Sequence, residues 1–244
     1  MAGKLAPPVE LPKRFFKAVS SGPHLDGFGV FLDGKPVKTP AGAVMVLPNA
    51  ALAQMLAHEW DAQTTHIQAA KMPATRLAFT AIDFVGGARD ATAAEIGRFA
   101  GADGVCYFAD GPQALVERQT RLWGPVIDWA EATLGVRFVR VTGIRHEAQP
   151  AATLLKLARL AEEGDDFGLV GVAHATALFG SAILAFALQR DQLGGQAALD
   201  LSRLDELFQQ ERWGVDEEAA ERAANMAVEA LMLERWFAAL KTRP

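Results

Sequence analysis

One stretch decides what kind of protein this chain can be. Leu169 to Leu188 is apolar through almost all of its length and approaches the roughly 20 residues that a helix needs to cross a bilayer. It also carries His174, Thr176, Gly180 and Ser181, with Asp165 and Asp166 just before it and Gln189, Arg190 and Asp191 just after. Polar groups inside the run and charges on both flanks point to a buried core helix, or two, rather than a membrane span. A helix that is apolar on every side has to be wrapped by other elements. With 244 residues, 50% of them hydrophobic and 22% charged, the chain can bury roughly 70% of its unfolded surface without disulfides or metals, and it is long enough for two domains.

The chain changes character partway along. From Lys13 to about Pro48 the pattern is extended: Phe15, Lys17 and Val19 alternate, then Val30 and Leu32, with Phe16, Phe28 and Phe31 on the other face. Asp33-Gly34 reads as a tight hairpin turn between Phe28–Leu32 and Pro36–Thr39, and Ala41-Gly42 as a second turn leading into Val44–Leu47. After Pro48 the period becomes helical, with Asn49 placed as an N-cap for Leu52, Met55, Leu56, Glu59 and Trp60. Further helices are expected over Ala74–Val85, Asp90–Ala100, Pro112–Leu134, Pro150–Glu163, Phe167–Gln189, Gln196–Arg212 and Asp216–Thr242, with one short strand at Arg137–Thr142. The expected class is therefore α+β. A small antiparallel β-rich N-terminal domain ending in a helix, residues 1–86, precedes a mainly α-helical C-terminal domain, residues 87–244.

Charge and motif content narrow the function. A net charge of −5 leaves no overall basic footprint for nucleic acid or for an anionic membrane surface. The one cysteine, Cys106, cannot form an internal disulfide. His58-Glu59 lacks a second histidine one helical turn on, and His66 falls about two turns away, so no metal is expected. Gly27-Phe28-Gly29 is not followed by a phosphate-binding element, and Gly180-Ser181 lacks the glycine frame of a nucleophile elbow. No cofactor and no catalytic residue is assigned. Three mixed clusters stand out instead: Glu59-Trp60-Asp61-Ala62-Gln63, then Gln119 through Trp123-Gly124-Pro125 with Asp128-Trp129, then Asp205-Glu206-Leu207-Phe208-Gln209 leading into Glu211-Arg212-Trp213-Gly214. Tryptophan beside arginine and carboxylate is the composition of binding anchors, although a tryptophan at helical spacing is more often core.

In order and spacing these clusters resemble the family of ATP synthase assembly chaperones that bind the free alpha subunit of the catalytic F-one head. The resemblance rests on Arg14-Phe15-Phe16-Lys17, Leu32-Asp33-Gly34-Lys35-Pro36, Lys38-Thr39-Pro40, the Glu59–Gln63 cluster, Met72-Pro73 and Ala81-Ile82-Asp83, and continues through Trp123-Gly124-Pro125 to Arg212-Trp213-Gly214. It implies a non-enzymatic protein, a β-rich domain before a helical one, and a role in shielding the alpha subunit's interface until the beta subunit replaces the chaperone. A monomer that does not insert into membrane is expected. No Arg/Ser-rich leader precedes the matching region, which begins after the Pro-rich Ala6-Pro7-Pro8. A bacterial cytoplasmic member, or a mature form in the mitochondrial matrix, is expected. For client contact the expected residues are Glu206, Glu211 and Trp213, with Glu59, Trp60 and Gln63 as a second region. Two other readings remain: a metal-independent hydrolase or lyase using a carboxylate pair such as Asp83 and Asp103, and a small-ligand module in the groove between the two parts.

Overall fold

The computed structural model of the chain describes residues 11–214 and 216–242, so the Pro-rich start lies outside the described residues. Strands β1 (Val19–His24) and β2 (Gly27–Leu32) pair antiparallel, from Val19 opposite Leu32 to His24 opposite Gly27, and β3 (Lys35–Pro36) continues the meander on β2. At the turn between β2 and β3, Asp33 and Gly34 both take positive φ, 48° and 79°, as an Asp-Gly hairpin requires. The Asp33 carboxylate accepts from the backbone N–H of Ala18 at 2.8 Å and of Lys17 at 3.0 Å, which holds its pKa below the usual carboxylate value.

Three strand expectations shift. The ladder begins only at Val19; before it, Phe16 turns inward at 5% exposure while Phe15 remains 73% exposed. Ser20 to Pro23, a poor strand sequence by composition, pairs because β2 offers it a full row of backbone partners. Val44–Leu47 forms isolated bridges, Lys38 with Val44 and Phe28 with Leu47, rather than a strand. Of the strand expected over Arg137–Thr142 only β5 (Val141–Thr142) is formed, parallel to β4 (Tyr107–Phe108). Side chains take the remaining amides: Thr153 Oγ1 accepts from Arg137 N, Glu131 Oε1 from Phe138 N and Gln149 Oε1 from Val139 N.

The helices are α1 (Ala50–Asp61), α2 (Pro73–Asp83), α3 (Arg89–Ala100), α4 (Gln113–Leu134), α5 (Ala151–Glu162), α6 (Asp166–Phe179), α7 (Ala182–Gln189), α8 (Gly195–Ser202), α9 (Leu204–Trp213) and α10 (Glu217–Leu240). Asn49 caps α1, accepting from Leu52 N at 2.9 Å, while its own amide donates to the carbonyls of Ala239 (2.9 Å) and Thr242 (3.2 Å) at the far end of α10. The apolar run divides into α6 and α7 at Gly180, which takes a left-handed φ of 60° at the helix end. Every residue of α7 from Ala182 to Leu188 is buried to 2% exposure or less, with α3, α4, α6, α8 and α10 around it. This is an antiparallel β meander followed by a largely helical region, an α+β fold. One continuous buried cluster runs from Phe16 through both parts to Ala239. No helix among the described residues is long and apolar enough to cross a membrane.

Gly195 lets α8 lie directly against the backbone of α10. A Cβ placed on Gly195 would lie 2.2 Å from the carbonyl oxygen of Ala230, a separation that only backbone movement could relieve. Helix propensity alone favours alanine over glycine by up to about 1 kcal/mol. Overpacking outweighs it, so Gly195→Ala is expected to destabilise the protein by about 2–3 kcal/mol, read as a lower urea midpoint with an unchanged slope. An unchanged or raised midpoint would show that α8 slides freely on α10.

Candidate functional site

The second and third sequence clusters meet in space. Gln119 of α4 is fully buried; its carbonyl accepts from Ala109 N at 2.8 Å and its amide donates to Asp205 Oδ1 at 2.7 Å. One turn on, Trp123 donates its indole N–H to the carbonyl of Leu201 at 2.9 Å and packs edge-on against Phe108. These bonds hold the start of α9 against α4. Leu204 and Phe208 then turn inward, and the guanidinium groups of Arg212 and Arg118 lie 4.2 and 5.2 Å from the centre of the Phe208 ring. Arg118 also grips Glu211 with two bonds, 2.7 and 2.8 Å, the fork-to-carboxylate geometry that favours arginine over lysine.

Outward on α9 lie Glu206, Gln209 and Trp213 at helical spacing, with half-buried Gln210 among them and Glu211 and Arg212 exposed alongside. Trp213 is 77% exposed. Glu206 is held by both guanidinium nitrogens of Arg203, each at 2.8 Å, and by the Gln210 amide at 3.0 Å. The Arg203 hydrogen bonds keep Glu206 below its ordinary pKa, and those from Arg118 do the same for Glu211. The stripe therefore presents oriented, ionised carboxylates beside a large indole that protein has not covered. Sequence reasoning singled out Glu206, Glu211 and Trp213 as expected contacts but not Arg203 and Arg118, whose guanidinium groups orient the two carboxylates. The signal was present as arginine three residues before Glu206, although the Arg118 pairing crosses between helices and has no local trace.

In the first cluster Trp60 and Gln63 are buried, Glu59 is half-buried at the α1–α10 groove and Asp61 is exposed. The Glu59 carboxylate accepts from Ala74 N (2.9 Å), Thr75 N (2.8 Å) and Thr75 Oγ1 (2.7 Å), filling the N-terminus of α2, and burial pushes its pKa up despite these donors. Trp60 is 8% exposed; its indole N–H has no oxygen or nitrogen acceptor, and the Phe16 ring packs against it. Gln63 is 4% exposed, donating to Glu59 O at 2.9 Å and accepting from Gln68 N at 2.8 Å. The structure thus places Glu59, Trp60 and Gln63 in joints between α1, α2 and the segment before β1.

The carboxylate pair is not assembled. Asp83 accepts from Thr39 Oγ1 at 2.6 Å and Ala41 N at 3.2 Å, bracing the turn after β3. Asp103 is fully buried elsewhere, accepting from Ile183 N at 3.0 Å and Val105 N at 3.4 Å. Cys106 is buried beside it, and burial followed by the Asp103 charge pushes its thiol pKa far up. His174 bonds Glu229 at 3.1 Å, and Arg76 grips the same carboxylate at 2.6 Å. No group of three His, Cys, Asp or Glu among the described residues could hold a metal ion. The groove between α1 and α10 is open, with a volume of about 670 Å³, and is not packed shut.

The β meander joined to a helical layer is a fold shared with known proteins. A family model described as ATP12 chaperone protein matches residues 13–131. The solved structure of Atp12 from Paracoccus denitrificans is 38% identical with a TM-score of 0.88, covering 94% of this chain and 99% of that one. The Atu1473 protein of Agrobacterium tumefaciens is 41% identical with a TM-score of 0.90, covering 95% and 87%. Protein atp12, mitochondrial, of Schizosaccharomyces pombe is 25% identical over 233 residues, covering 89% of this chain and 80% of its own. This chain belongs to the ATP12 chaperone family.

Burial pushes the Asp103 carboxyl up from 3.8 to about 6. The folded protein therefore keeps this proton through a pH range in which the unfolded chain has lost it. The resulting stabilisation is complete below about pH 4 and disappears as pH rises through about 6, a change on the order of 3 kcal/mol. Asp103→Asn is uncharged throughout, so its stability relative to the parent is expected to rise between pH 4.5 and 7.5 when urea midpoints are compared. A difference that stays constant with pH would place the ordinary carboxylate pKa at this site.

Proposed function

We propose that this ATP synthase assembly chaperone binds the free alpha subunit of the catalytic head and shields the surface that the beta subunit later covers. The observation that carries the proposal is the outer face of α9, where Trp213 stands 77% exposed beside ionised Glu206 and Glu211 in a member of the ATP12 family. An exposed indole supplies contact area at low conformational cost, and carboxylates held by arginine arrive already oriented. A chaperone has to release its client to a tighter partner. A narrow mixed stripe suits that better than a large apolar interface. We assign contact to Glu206, Glu211 and Trp213, and give Glu59, Trp60 and Gln63 the supporting part their burial indicates. The division at residue 86 belongs to the same proposal, with the helical part 87–244 carrying the client face. The chaperone acts as a monomer in the cytoplasm of a bacterium, or in the matrix if it is organellar.

The test is binding to isolated alpha subunit by size exclusion, together with suppression of alpha-subunit aggregation. Trp213→Ala is expected to weaken binding about thirtyfold, corresponding to a hot spot of about 2 kcal/mol, and Glu206→Lys at least tenfold. Both side chains are on the surface, so the thermal midpoint should move by no more than a degree or two. Failure of the parent protein to bind or protect the alpha subunit would sink the client assignment. Full binding by both variants would remove the α9 face from it.

A further inference from the structure

The open groove beside α1 has features that the α9 stripe does not use. Its two walls are helical faces: positions 51, 55 and 58 on α1 with Ala62 at its C-cap, and 228, 231, 235 and 239 on α10, recur every three or four residues. Asn49 bonds the end of α10, so the two faces run antiparallel, each about three turns or roughly 16 Å long. Val228 and Leu231 are 58% and 41% exposed although they lie on the same stripe as buried Met232. With Met55 opposite, they form an apolar trough whose methionines adapt to different partners. Two parallel ridges with an open side are what a third helix covers.

Charge selects the occupant. Lys71 and Arg235 both line the groove, and among the described residues neither forms an ion pair, in a chain whose net charge is −5. The carboxylate within the groove, Glu59, is already committed to the N-terminus of α2. A second copy of this chain placed here by two-fold symmetry would set these cations against their own counterparts. We infer that the groove docks an acidic amphipathic helix of a partner protein, about three turns long. Its apolar stripe lies on Met55, Leu231 and Met232, and its carboxylates lie against Lys71 and Arg235. This site is separate from the α9 face and does not rest on the client assignment.

The full chain is titrated by fluorescence anisotropy against two labelled designed helices of about 14 residues, long enough for the three turns of the groove. Both carry leucine every three or four residues; one has glutamates at its flanks and the other lysines in their place. The acidic helix is expected to bind at least tenfold tighter. Leu231→Asp and, independently, Val228→Glu should each weaken it at least tenfold with unchanged circular dichroism, and Arg235→Glu should erase the preference for the acidic helix. Absence of saturable binding, or equal affinity for the two helices, would overturn the inference. A concentration-dependent dimer abolished by Leu231→Asp would assign the groove to a second copy instead.

Discussion

An apolar helix can occupy the centre of a protein only if the backbone N–H groups at its exposed start are satisfied without water. In α7 that condition is met by Ser181, which accepts from Leu184 N at 3.1 Å, and by the buried carboxylate of Asp103, which accepts from Ile183 N at 3.0 Å. The rest of the helical layer follows from this joint. Asp103 belongs to the segment between α3 and α4, and Gly104 N in turn donates to Gly180 O at 3.1 Å, so the link is made in both directions. With that segment bolted to the α6–α7 corner, the start of α4 is placed. Gln119 and Trp123 then fall where they can take up Asp205 and Leu201 and hang α9 on the outside.

The tryptophans show how one residue type serves two ends. Trp123 and Trp236 are buried with their N–H groups on the carbonyls of Leu201 and Phe167, which locks one helix to another. Trp213 lies at the last turn of α9, beyond the point where Phe208 has finished the packing, and nothing inside the protein claims it. On the same helix one carboxylate is paired across helices, Glu211 with Arg118 of α4, and one locally, Glu206 with Arg203 three residues before it. An ion pair as exposed as Arg118 with Glu211 adds little to folding, and its lasting effect is to hold a carboxylate in one orientation.

The β meander and the helical remainder were legible because they rest on local rules: period two, period 3.6, an Asp-Gly turn and an Asn cap. Asn49 and Gly34 behave as their chemistry dictates, and the apolar run reads correctly as core because its polar interruptions mark helix ends. Illegible were the places where tertiary partners override composition. Ser20 to Pro23 becomes a strand only because β2 lies beside it, and Arg137–Val139 gives up its strand to the side chains of Thr153, Glu131 and Gln149. The site divides the same way. The α9 cluster carries its amphipathic pattern in a single helix, so its composition shows in the sequence, whereas the packing of Glu59, Trp60 and Gln63 depends on α2 arriving at Glu59 from 15 positions further along the chain.

The bond from Asn49 to Ala239 joins residues 190 positions apart. It makes the cap of the first helix a sensor of the last one: α1 can form its own turns early, but its starting residue stays only half satisfied until α10 has been synthesised and has swung back across the molecule. Because chains emerge from the ribosome in order, the β-rich end must wait, uncovered along α1, while some 150 residues of helical layer are made and packed. A chaperone of another complex's assembly thus passes through an unassembled stage of its own, and the closing of α10 ends it.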